Sequence, residues 1–545
     1  MMRMKSSEEL LQKILKGFAE VKILIIKIIH TDTSQITNEN FCERKTRMSL
    51  KQRAKFLATV LSLITILLLT GPLCADVRLP HIFSDNMVLQ QDKEIPVWGW
   101  AEPAEQIVIQ FNNSKVKTKA DSDGKWLTRL PPQKAGGPYT MTVKGKNTVT
   151  INDVLIGEVW LCSGQSNMEW TIAGALNPQK EIAEANYPLI RQFDIPNKTS
   201  GRPRPDVDAA WVACSPQTAG SFTAVGYFFA RHIQKELNVP IGLINSSWGG
   251  SRIEPWTPLE GFMHVESTNN ISERIKQANI DYRQAVEKNI DLIQSWIIAA
   301  EKALAEGKDL PLDPEFPKHP LDSYSEPTGM YNAMIHPVIP FAIRGALWYQ
   351  GESNLDDGPL YLDKMKAIIN GWRMLWGEGN FPFYYVQLAP FTYGGDKQRL
   401  PRIWETQTAA LSIPNTGMAV TVDLVDNIKD IHPKNKQDVG KRLALWALVK
   451  TYGKSGVVYS GPLYKSVKID DGKIRVSFDF VGSGLISRDG KPLSDFEIAG
   501  SDKNFVPATA QIEDEAVVVS SEIIKEPVAV RFGWNEEAVP NLSNK

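Results

Sequence analysis

The chain has 545 residues, a formal net charge of −1 at pH 7 and a hydrophobic content of 43%. This length is enough for two to four domains, and the composition is that of an ordinary globular protein. A net charge close to zero gives no indication of a nucleic-acid or anionic-membrane partner. The 15 tryptophans leave open a sugar-facing surface, although most tryptophans pack in cores.

The N-terminal part of the sequence carries the features of an export signal. A basic segment at 48–55 precedes an uncharged apolar run at 56–70, and small residues that suit cleavage follow. This layout predicts a signal peptide over 48–75 that is cleaved after Ala75, and therefore a periplasmic or extracellular protein. Residues 1–47 fit no export signal, and we expect them to be a non-native extension. No other segment is long and apolar enough to span a membrane.

The cysteine pattern bears on disulfides and metal sites. Only Cys162 and Cys214 remain after removal of the predicted signal. In an exported protein they can form a disulfide or stay as buried free thiols, and the sequence leaves both alternatives open. No Cys-x-x-Cys, His-Glu-x-x-His or His-x-His pattern is present, so we expect no metal site and no cofactor.

The hydrophobic pattern divides the exported part into three regions. Short alternating runs between turn signals predict an all-β region over 76–155. Over 156–450, apolar β-branched runs alternate with helical stretches, which favours a three-layer α/β domain with a parallel sheet. A Lys-, Glu- and Ala-rich insertion at about 258–325 interrupts this domain and contains a long predicted helix over 279–306. Residues 455–545 are again predicted to be all-β.

Within the α/β region the individual elements can be assigned. An apolar run at Val154–Leu161 opens the region as its first predicted strand. Further buried strands are predicted at Val239–Asn245, Ile343–Tyr349, Phe383–Leu388 and Met418–Val422. Helices are predicted at Ala224–Leu237, Leu360–Leu375 and Lys436–Tyr452.

Polar segments follow the predicted strands, at the edge of the sheet where open α/β proteins form their active sites. These segments are Gly164–Asn167, Asn245–Ser251, Gln350–Asn354 and Asp423–Pro433. Any one of them is an ordinary turn, but their common position after strands predicts a shared site.

The residue types in these segments fit nucleophilic catalysis. The Ser166 hydroxyl becomes nucleophilic once a base takes its proton, and a neutral histidine is the usual base near pH 7. His432 is the best candidate, and His336 is its main rival. A nearby carboxylate would orient the imidazole ring. The carboxylates close to His432 in sequence are Asp423, Asp426 and Asp430.

Attack of a serine on a carbonyl carbon also needs donors for the oxyanion of the tetrahedral intermediate. Backbone N–H groups or an asparagine amide can serve, and Gly249, Gly250 and Asn354 offer them. Glycine also permits the close backbone approach that the reacting carbon requires.

Sequence blocks around these residues resemble the sialate O-acetylesterase family of SGNH-type esterases. The matching blocks are LPHIFSDNMVLQ (79–90), WLCSGQSNM (160–168), WGGSRIEPW (248–256), GMYNAMIHP (329–337), WYQGESN (348–354) and DIHPKNK (430–436). The resemblance runs from about Leu79 to the C-terminus. It implies an SGNH-hydrolase-like domain with a parallel sheet, flanked by N- and C-terminal all-β, sandwich-like domains.

The resemblance also implies roles for single residues. Ser166 would be the nucleophile and His432 the base, with the oxyanion held by the Ser166 N–H, Gly250 or Gly249, and Asn354. Candidate substrate-lining residues are Gln165, Asn332 and Glu352. Many SGNH enzymes place the triad acid three residues before the histidine, where this chain has Lys429. The third member therefore stays open between Asp430, an aspartate further upstream and a backbone carbonyl.

The function expected from these features is an exported O-acetylesterase that acts on acetylated sugars through a Ser166 acyl-enzyme. Sialate esters are the expected substrates, and acetyl xylan or another hemicellulose is the alternative. A protein of another class, which binds carbohydrate without catalysis, is the third hypothesis. The absence of a Gly-x-Ser-x-Gly elbow argues against an α/β-hydrolase.

Overall fold

The structure is a computed structural model that describes residues 76–545. The predicted signal peptide and the extension before it lie outside the described residues. Among residues 76–545, no helix is both long enough and apolar enough to cross a bilayer.

Thirteen strands belong to the first two predicted regions. They are β1 (Val88–Gln90), β2 (Ile95–Trp100), β3 (Gln106–Phe111), β4 (Ser114–Lys119), β5 (Lys125–Leu130), β6 (Gly136–Lys144), β7 (Thr148–Gly164), β8 (Tyr187–Asp194), β9 (Trp211–Cys214), β10 (Ile241–Ser247), β11 (Gly345–Tyr349), β12 (Phe383–Val386) and β13 (Thr416–Ala419). β4, β3, β6 and the first part of β7 pair antiparallel, while β2 pairs separately with β5. In β3 the alternating Ile107, Ile109 and Phe111 face the core, as one-sided burial of a strand requires.

The long strand β7 joins the N-terminal region to the α/β region. Its first part pairs with β6, and its last residues, from Glu158 to Gly164, lie between β10 and β11. Those last residues are all buried, because a parallel strand is covered on both faces. The boundary predicted at residue 155 therefore falls within one continuous strand.

The central sheet has the strand order β13-β12-β11-β7-β10-β8-β9. Every neighbouring pair in it is parallel except β8 and β9 at one edge. The prediction of an α/β domain with a parallel sheet is thus confirmed, and the carboxyl ends of β7, β10 and β11 lie side by side.

Helices cover both faces of this sheet. They are α1 (Ser166–Glu169), α2 (Pro178–Ala183), α3 (Ala224–Leu237), α4 (Leu259–Met263), α5 (Asn269–Ala305), α6 (Leu360–Trp376), α7 (Arg399–Ala409) and α8 (Lys436–Trp446). On one face, Trp160 of β7 packs against Phe229 of α3, with ring centroids 4.9 Å apart. On the other face, Trp348 of β11 packs against Trp372 of α6 at 5.9 Å. These two contacts define the three layers.

The insertion consists of α4, α5 and an irregular return. α5 starts at Asn269, ten residues before the predicted start at 279. The earlier start has a packing reason, because Ile275 is buried against Phe262 of α4 in a small core of its own. The return is fixed to the helix by a hydrogen bond of 2.9 Å from the Trp296 indole N–H to the carbonyl of Pro311.

The C-terminal region is all-β, as predicted. Its strands are β14 (Leu463–Asp470), β15 (Lys473–Asp479), β16 (Leu485–Ser487), β17 (Phe496–Ala499), β18 (Val506–Pro507), β19 (Thr509–Glu513), β20 (Ala516–Ser520), β21 (Ala529–Phe532) and β22 (Leu542–Asn544). They form small antiparallel sheets around a separate core that includes Ile474, Phe496 and Val517.

Cys162 and Cys214, the two cysteines among the described residues, are free and buried, so the disulfide alternative is wrong. Cys162 lies on β7 and Cys214 on β9, with β10 and β8 between them. Three strand spacings of about 4.8 Å across the sheet already put the two Cα atoms at least about 14 Å apart. They are also offset along the strands, since Cys162 is level with Asp194 of β8 and Cys214 with Tyr187. A disulfide needs them within about 7 Å of each other. Burial raises the pKa of both thiols.

Candidate active site

The four polar segments meet at the carboxyl edge of the central sheet. The Trp248 N–H donates to the carbonyl of Gly164 at 3.1 Å, and the Gln165 N–H donates to the carbonyl of Tyr349 at 2.9 Å. The Asn167 side chain donates to the carbonyl of Ile431 at 3.0 Å. The segments after β7, β10, β11 and β13 are therefore in direct contact.

A glycine shapes the turn that carries Ser166. Gly164 has φ +136°, and a Cβ at this position would lie 2.2 Å from the carbonyl oxygen of Tyr349. Only glycine fits such a conformation and such a close approach. Two residues later Ser166 becomes the first residue of the short helix α1, where a backbone N–H has no partner within the helix.

Ser166 and His432 are in hydrogen-bond contact although 266 positions separate them in the chain. The Nε2 atom of His432 lies 2.8 Å from the Ser166 Oγ atom. This is the distance at which a histidine can take the hydroxyl proton. Both side chains are half-buried, so the pair is accessible to a substrate.

The His432 ring is held by an aromatic side chain. Trp170 stacks on the imidazole with ring centroids 4.6 Å apart and an interplanar angle of 19°. Trp170 follows α1 directly, four residues after Ser166. The nucleophile turn therefore also positions the base. Sequence reasoning missed this residue, although its i+4 spacing from Ser166 was visible.

The candidate acids do not contact the imidazole. Asp430 accepts a hydrogen bond of 2.9 Å from the backbone N–H of His432, and Asp423 is bound by Arg442 through two contacts of 2.6 Å. Among residues 76–545, no carboxylate or carbonyl forms a hydrogen bond with the Nδ1 atom of His432. Asp430 therefore shapes the loop and acts on the ring only through its charge.

The environment favours a neutral His432. Partial burial lowers its pKa, the charge of Lys436 lowers the pKa further, and the charge of Asp430 opposes both effects. A neutral imidazole is the form that accepts a proton. His432 is thus kept in its basic form to a lower pH than an exposed histidine would be.

Two backbone N–H groups of the polar segments, those of Ser166 and Gly250, are free. In the part of the chain that the structure describes, neither the Ser166 N–H nor the Gly250 N–H donates a hydrogen bond. The Gly249 N–H, by contrast, donates to a Glu169 carboxylate oxygen at 2.6 Å. A Cβ on Gly249 would lie 3.3 Å from the Ser166 Cβ, so this glycine packs against the nucleophile.

Asn354 does not fit the oxyanion role expected of it. Its side chain is fully buried, and its Nδ2 atom donates to Glu254 at 3.0 Å and to Asp357 at 2.6 Å. Its Oδ1 atom accepts from the Ile253 N–H at 2.9 Å and from Gln350 at 2.7 Å. All hydrogen-bonding positions of the Asn354 amide are therefore occupied by other groups of the protein.

The candidate substrate-lining residues are also engaged within the fold. The Gln165 side chain accepts from the backbone N–H groups of Gly351 and Ser353, at 3.3 and 3.4 Å. The Asn332 amide donates to the carbonyl of Ser200 at 3.0 Å. Glu352 accepts from the amide of Asn167 at 2.7 Å. All three therefore support the loops around the site.

The rival base His336 lies elsewhere. Its Nδ1 atom donates to the backbone carbonyl of Arg204 at 2.9 Å. Its ring also packs edge-on against Tyr331, with centroids 6.1 Å apart. No contact joins His336 to Ser166, and among residues 76–545 His432 is the histidine that contacts this serine.

A buried polar network behind the serine was not expected from the sequence. Besides Ile431 and Glu352, the Asn167 side chain contacts Lys436, whose Nζ atom donates to the Asn167 Oδ1 atom at 2.5 Å. Burial lowers the pKa of Lys436 to about 7 and raises the pKa of Glu352. The sequence placed Lys436 at the start of a helix and at the end of the block DIHPKNK, but gave it no role in the site.

Comparisons with known proteins show which family the chain belongs to. A family model described as "carbohydrate esterase, sialic acid-specific acetylesterase" matches residues 319–448, which contain His432. The sialate O-acetylesterase of Rattus norvegicus is 31% identical over 432 residues, which cover 72% of this chain and 77% of the relative. The chain belongs to the sialate O-acetylesterase family. It is accordingly a carboxylic-ester hydrolase, and a protein that only binds carbohydrate is excluded.

Further members of the sialate O-acetylesterase family and a solved structure extend this result. The human sialate O-acetylesterase is 29% identical over 455 residues, which cover 75% of this chain and 78% of the relative. The crystal structure of a carbohydrate acetylesterase from Xanthomonas citri has 38% identity and a TM-score of 0.73, and covers 86% of this chain and 97% of its own. Both the family and the fold predicted from the sequence are therefore confirmed.

Proposed function

We propose that the protein is an exported O-acetylesterase that releases acetate from sialic acids through a covalent Ser166 intermediate. The observation that carries this proposal is the 2.8 Å contact between the Ser166 Oγ and His432 Nε2 atoms. The free backbone N–H groups of Ser166 and Gly250 support it. A nucleophile, a base and oxyanion donors are the parts that acyl transfer requires.

In the proposed first half-reaction, His432 takes the Ser166 proton while the hydroxyl oxygen attacks the acetyl carbonyl carbon. The carbonyl oxygen becomes an oxyanion, which the N–H groups of Ser166 and Gly250 stabilise. The carbon–oxygen bond to the sugar then breaks, and the imidazolium of His432 gives its proton to the departing sugar oxygen. The products of this step are the free sugar and an acetyl-Ser166 ester.

In the second half-reaction a water molecule replaces the sugar. His432 takes a proton from the water, whose oxygen attacks the acetyl carbonyl of the acyl-enzyme. Collapse of the tetrahedral intermediate returns the proton to the Ser166 oxygen and releases acetate. Trp170 stacks on one face of the imidazole and so holds the ring of His432 in the same orientation through both steps.

Sialate esters are the proposed substrates because the matching family model and the curated relatives carry that description. Acetyl xylan was the alternative from the sequence, and no specific observation favours it. We expect the purified protein to release more acetate from O-acetylated sialic acids than from acetylated xylan at equal ester concentration. A panel of these substrates, scored by free acetate, measures the ratio, and a preference for xylan would refute the sialate assignment.

Export is proposed from residues 48–75, which lie outside the described residues. We expect the exported protein to begin at Asp76, because the basic segment, the apolar run and the small residues before it form a signal peptide. N-terminal sequencing of protein from the periplasm or medium tests this. Active protein that stays in the cytosol with its first 75 residues attached would rule export out.

A further inference from the structure

We propose that Lys436, Asn167 and Glu352 form a positioning network that holds the base loop, residues 430–433, against Ser166. The inference rests on the proposed role of His432 as the base. It assigns to these three side chains a part in catalysis although none of them is the nucleophile, the base or an oxyanion donor.

The network joins the base loop directly to the nucleophile turn. Asn167 follows Ser166 in α1, and its Nδ2 atom donates to the Ile431 carbonyl at 3.0 Å, one residue before His432. The same Nδ2 atom donates to a Glu352 carboxylate oxygen at 2.7 Å. Its Oδ1 atom accepts from Lys436 at 2.5 Å. The Asn167 amide therefore connects the turn that carries Ser166 to the loop that carries His432, the two residues between which the proton moves.

Lys436 and Glu352 determine the orientation of that amide. While Lys436 is charged, its ammonium only donates and the Glu352 carboxylate only accepts, so the Asn167 oxygen must face Lys436 and its nitrogen must face Glu352. If the amide were flipped, its nitrogen would face the Lys436 ammonium, donor against donor, and its oxygen would face the Glu352 carboxylate, acceptor against acceptor. The nitrogen is thereby held toward the Ile431 carbonyl, which only accepts.

The position of Lys436 is unfavourable for stability alone. Its side chain is 0% exposed, and it is the first residue of α8, where the helix dipole disfavours a positive charge. It forms no direct ion pair within the described residues. Its other close partner is the Tyr349 ring, whose centroid lies 5.3 Å from the Nζ atom. Burial of an amine whose close partners are one amide oxygen and one aromatic ring carries a desolvation cost, so a stabilising role alone does not explain the lysine.

The charges that act on Lys436 are those of Glu352 and Asp430. Glu352 follows β11, Asp430 and His432 belong to the base loop, and α1 contributes only the neutral Asn167. Below about pH 7 Lys436 is charged, and this charge lowers the pKa of His432. Below about pH 7 the network therefore does two things: it holds the loop of His432, and its Lys436 charge favours the neutral form of His432.

Replacing Lys436 tests the proposal. In Lys436→Met we expect kcat to fall about 10- to 100-fold with KM changed less than about threefold, since a displaced base mainly slows the chemical step. We also expect the acid limb of the kcat/KM profile to move to higher pH. The limb reports protonation of His432, and removal of the neighbouring charge raises that pKa. A chromogenic acetate ester serves as substrate.

Lys450→Met is the matched control. Lys450 also lies over a tyrosine ring, with its Nζ atom 5.4 Å from the centroid of Tyr459, but it is exposed and remote from the site. We expect wild-type kinetics and an unchanged pH profile from this variant. Wild-type kcat and an unshifted acid limb in Lys436→Met would overturn the proposal.

Glu352 gives a second and independent test. Glu352→Gln keeps an oxygen that accepts from the Asn167 amide, whereas Glu352→Ala removes it. We expect the glutamine to retain kcat within about fivefold and the alanine to lose about 10- to 100-fold. Equal kcat in the two variants, both with wild-type unfolding curves, would refute the network. If instead Ser166→Ala kept full activity, the proposed function itself would fail.

Discussion

Ser166→Ala is expected to lower ester turnover by on the order of 10⁴-fold or more, because no other group can carry the acyl intermediate. His432→Ala should cause a loss of similar size, since the serine hydroxyl is a weak nucleophile without its base. The double variant should be no worse than either single variant, because the two residues act as a unit. Initial rates with a chromogenic acetate ester measure all three.

The control for Ser166→Ala is a serine whose loss changes only a surface contact. Ser412 is exposed and donates to the carbonyl of Ala409 at 2.7 Å, so Ser412→Ala should keep wild-type rates. Circular dichroism and thermal unfolding should show that both variants fold normally. Near-normal turnover by folded Ser166→Ala protein would mean that Ser166 is not the nucleophile.

Asn354→Ala is expected to destabilise the fold by on the order of 3 kcal/mol, because it removes four buried hydrogen bonds at once. The Ile253 N–H and the Gln350 amide would lose an acceptor, and the carboxylates of Glu254 and Asp357 would lose a donor. Lys364 would still bind both carboxylates, at 2.7 and 2.6 Å, which limits the loss. The midpoint of urea unfolding measures the change.

The kinetics of Asn354→Ala separate the two roles considered for this residue. If Asn354 is structural, we expect a lower unfolding midpoint, and a kcat within about tenfold of wild type at temperatures where the variant is folded. If Asn354 is an oxyanion donor, we expect kcat to fall roughly 10²–10³-fold at unchanged stability. Asn504→Ala is the control, because its side chain makes one exposed contact of 2.8 Å, to Asp502. A kinetic loss without destabilisation would restore the oxyanion role.

The sequence was most informative where a signal is local. The helix α3 begins and ends at the predicted residues Ala224 and Leu237, because an apolar face with a 3.6-residue period is readable within one element. The parallel sheet followed from the alternation of strands and helices. The expectation that Ser166 and His432 share a site followed from their place in segments after strands, since open α/β sheets form their sites at the carboxyl edge.

Sequence spacing was a poor guide to the partners of polar side chains. Asp430 lies two residues from His432, yet its carboxylate binds the backbone N–H and not the ring. The ring is held instead by Trp170, which is more than 250 positions away in the chain. Cys162 and Cys214 were a candidate pair by elimination, but the strand order places two strands between them.

The sequence by itself determined the family, the fold class and the likeness of Ser166 and His432 to a nucleophile and its base. The fold class depends on periodicity along short segments, whereas the family and the residue roles depend on the resemblance of short sequence blocks. Only the tertiary structure decided that Asn354 is fully bonded in the core, that Gly250 keeps a free N–H while Gly249 does not, and that Lys436 reaches Asn167. A side chain has few hydrogen-bonding sites, and which groups occupy them depends on residues that meet only when distant strands pack together.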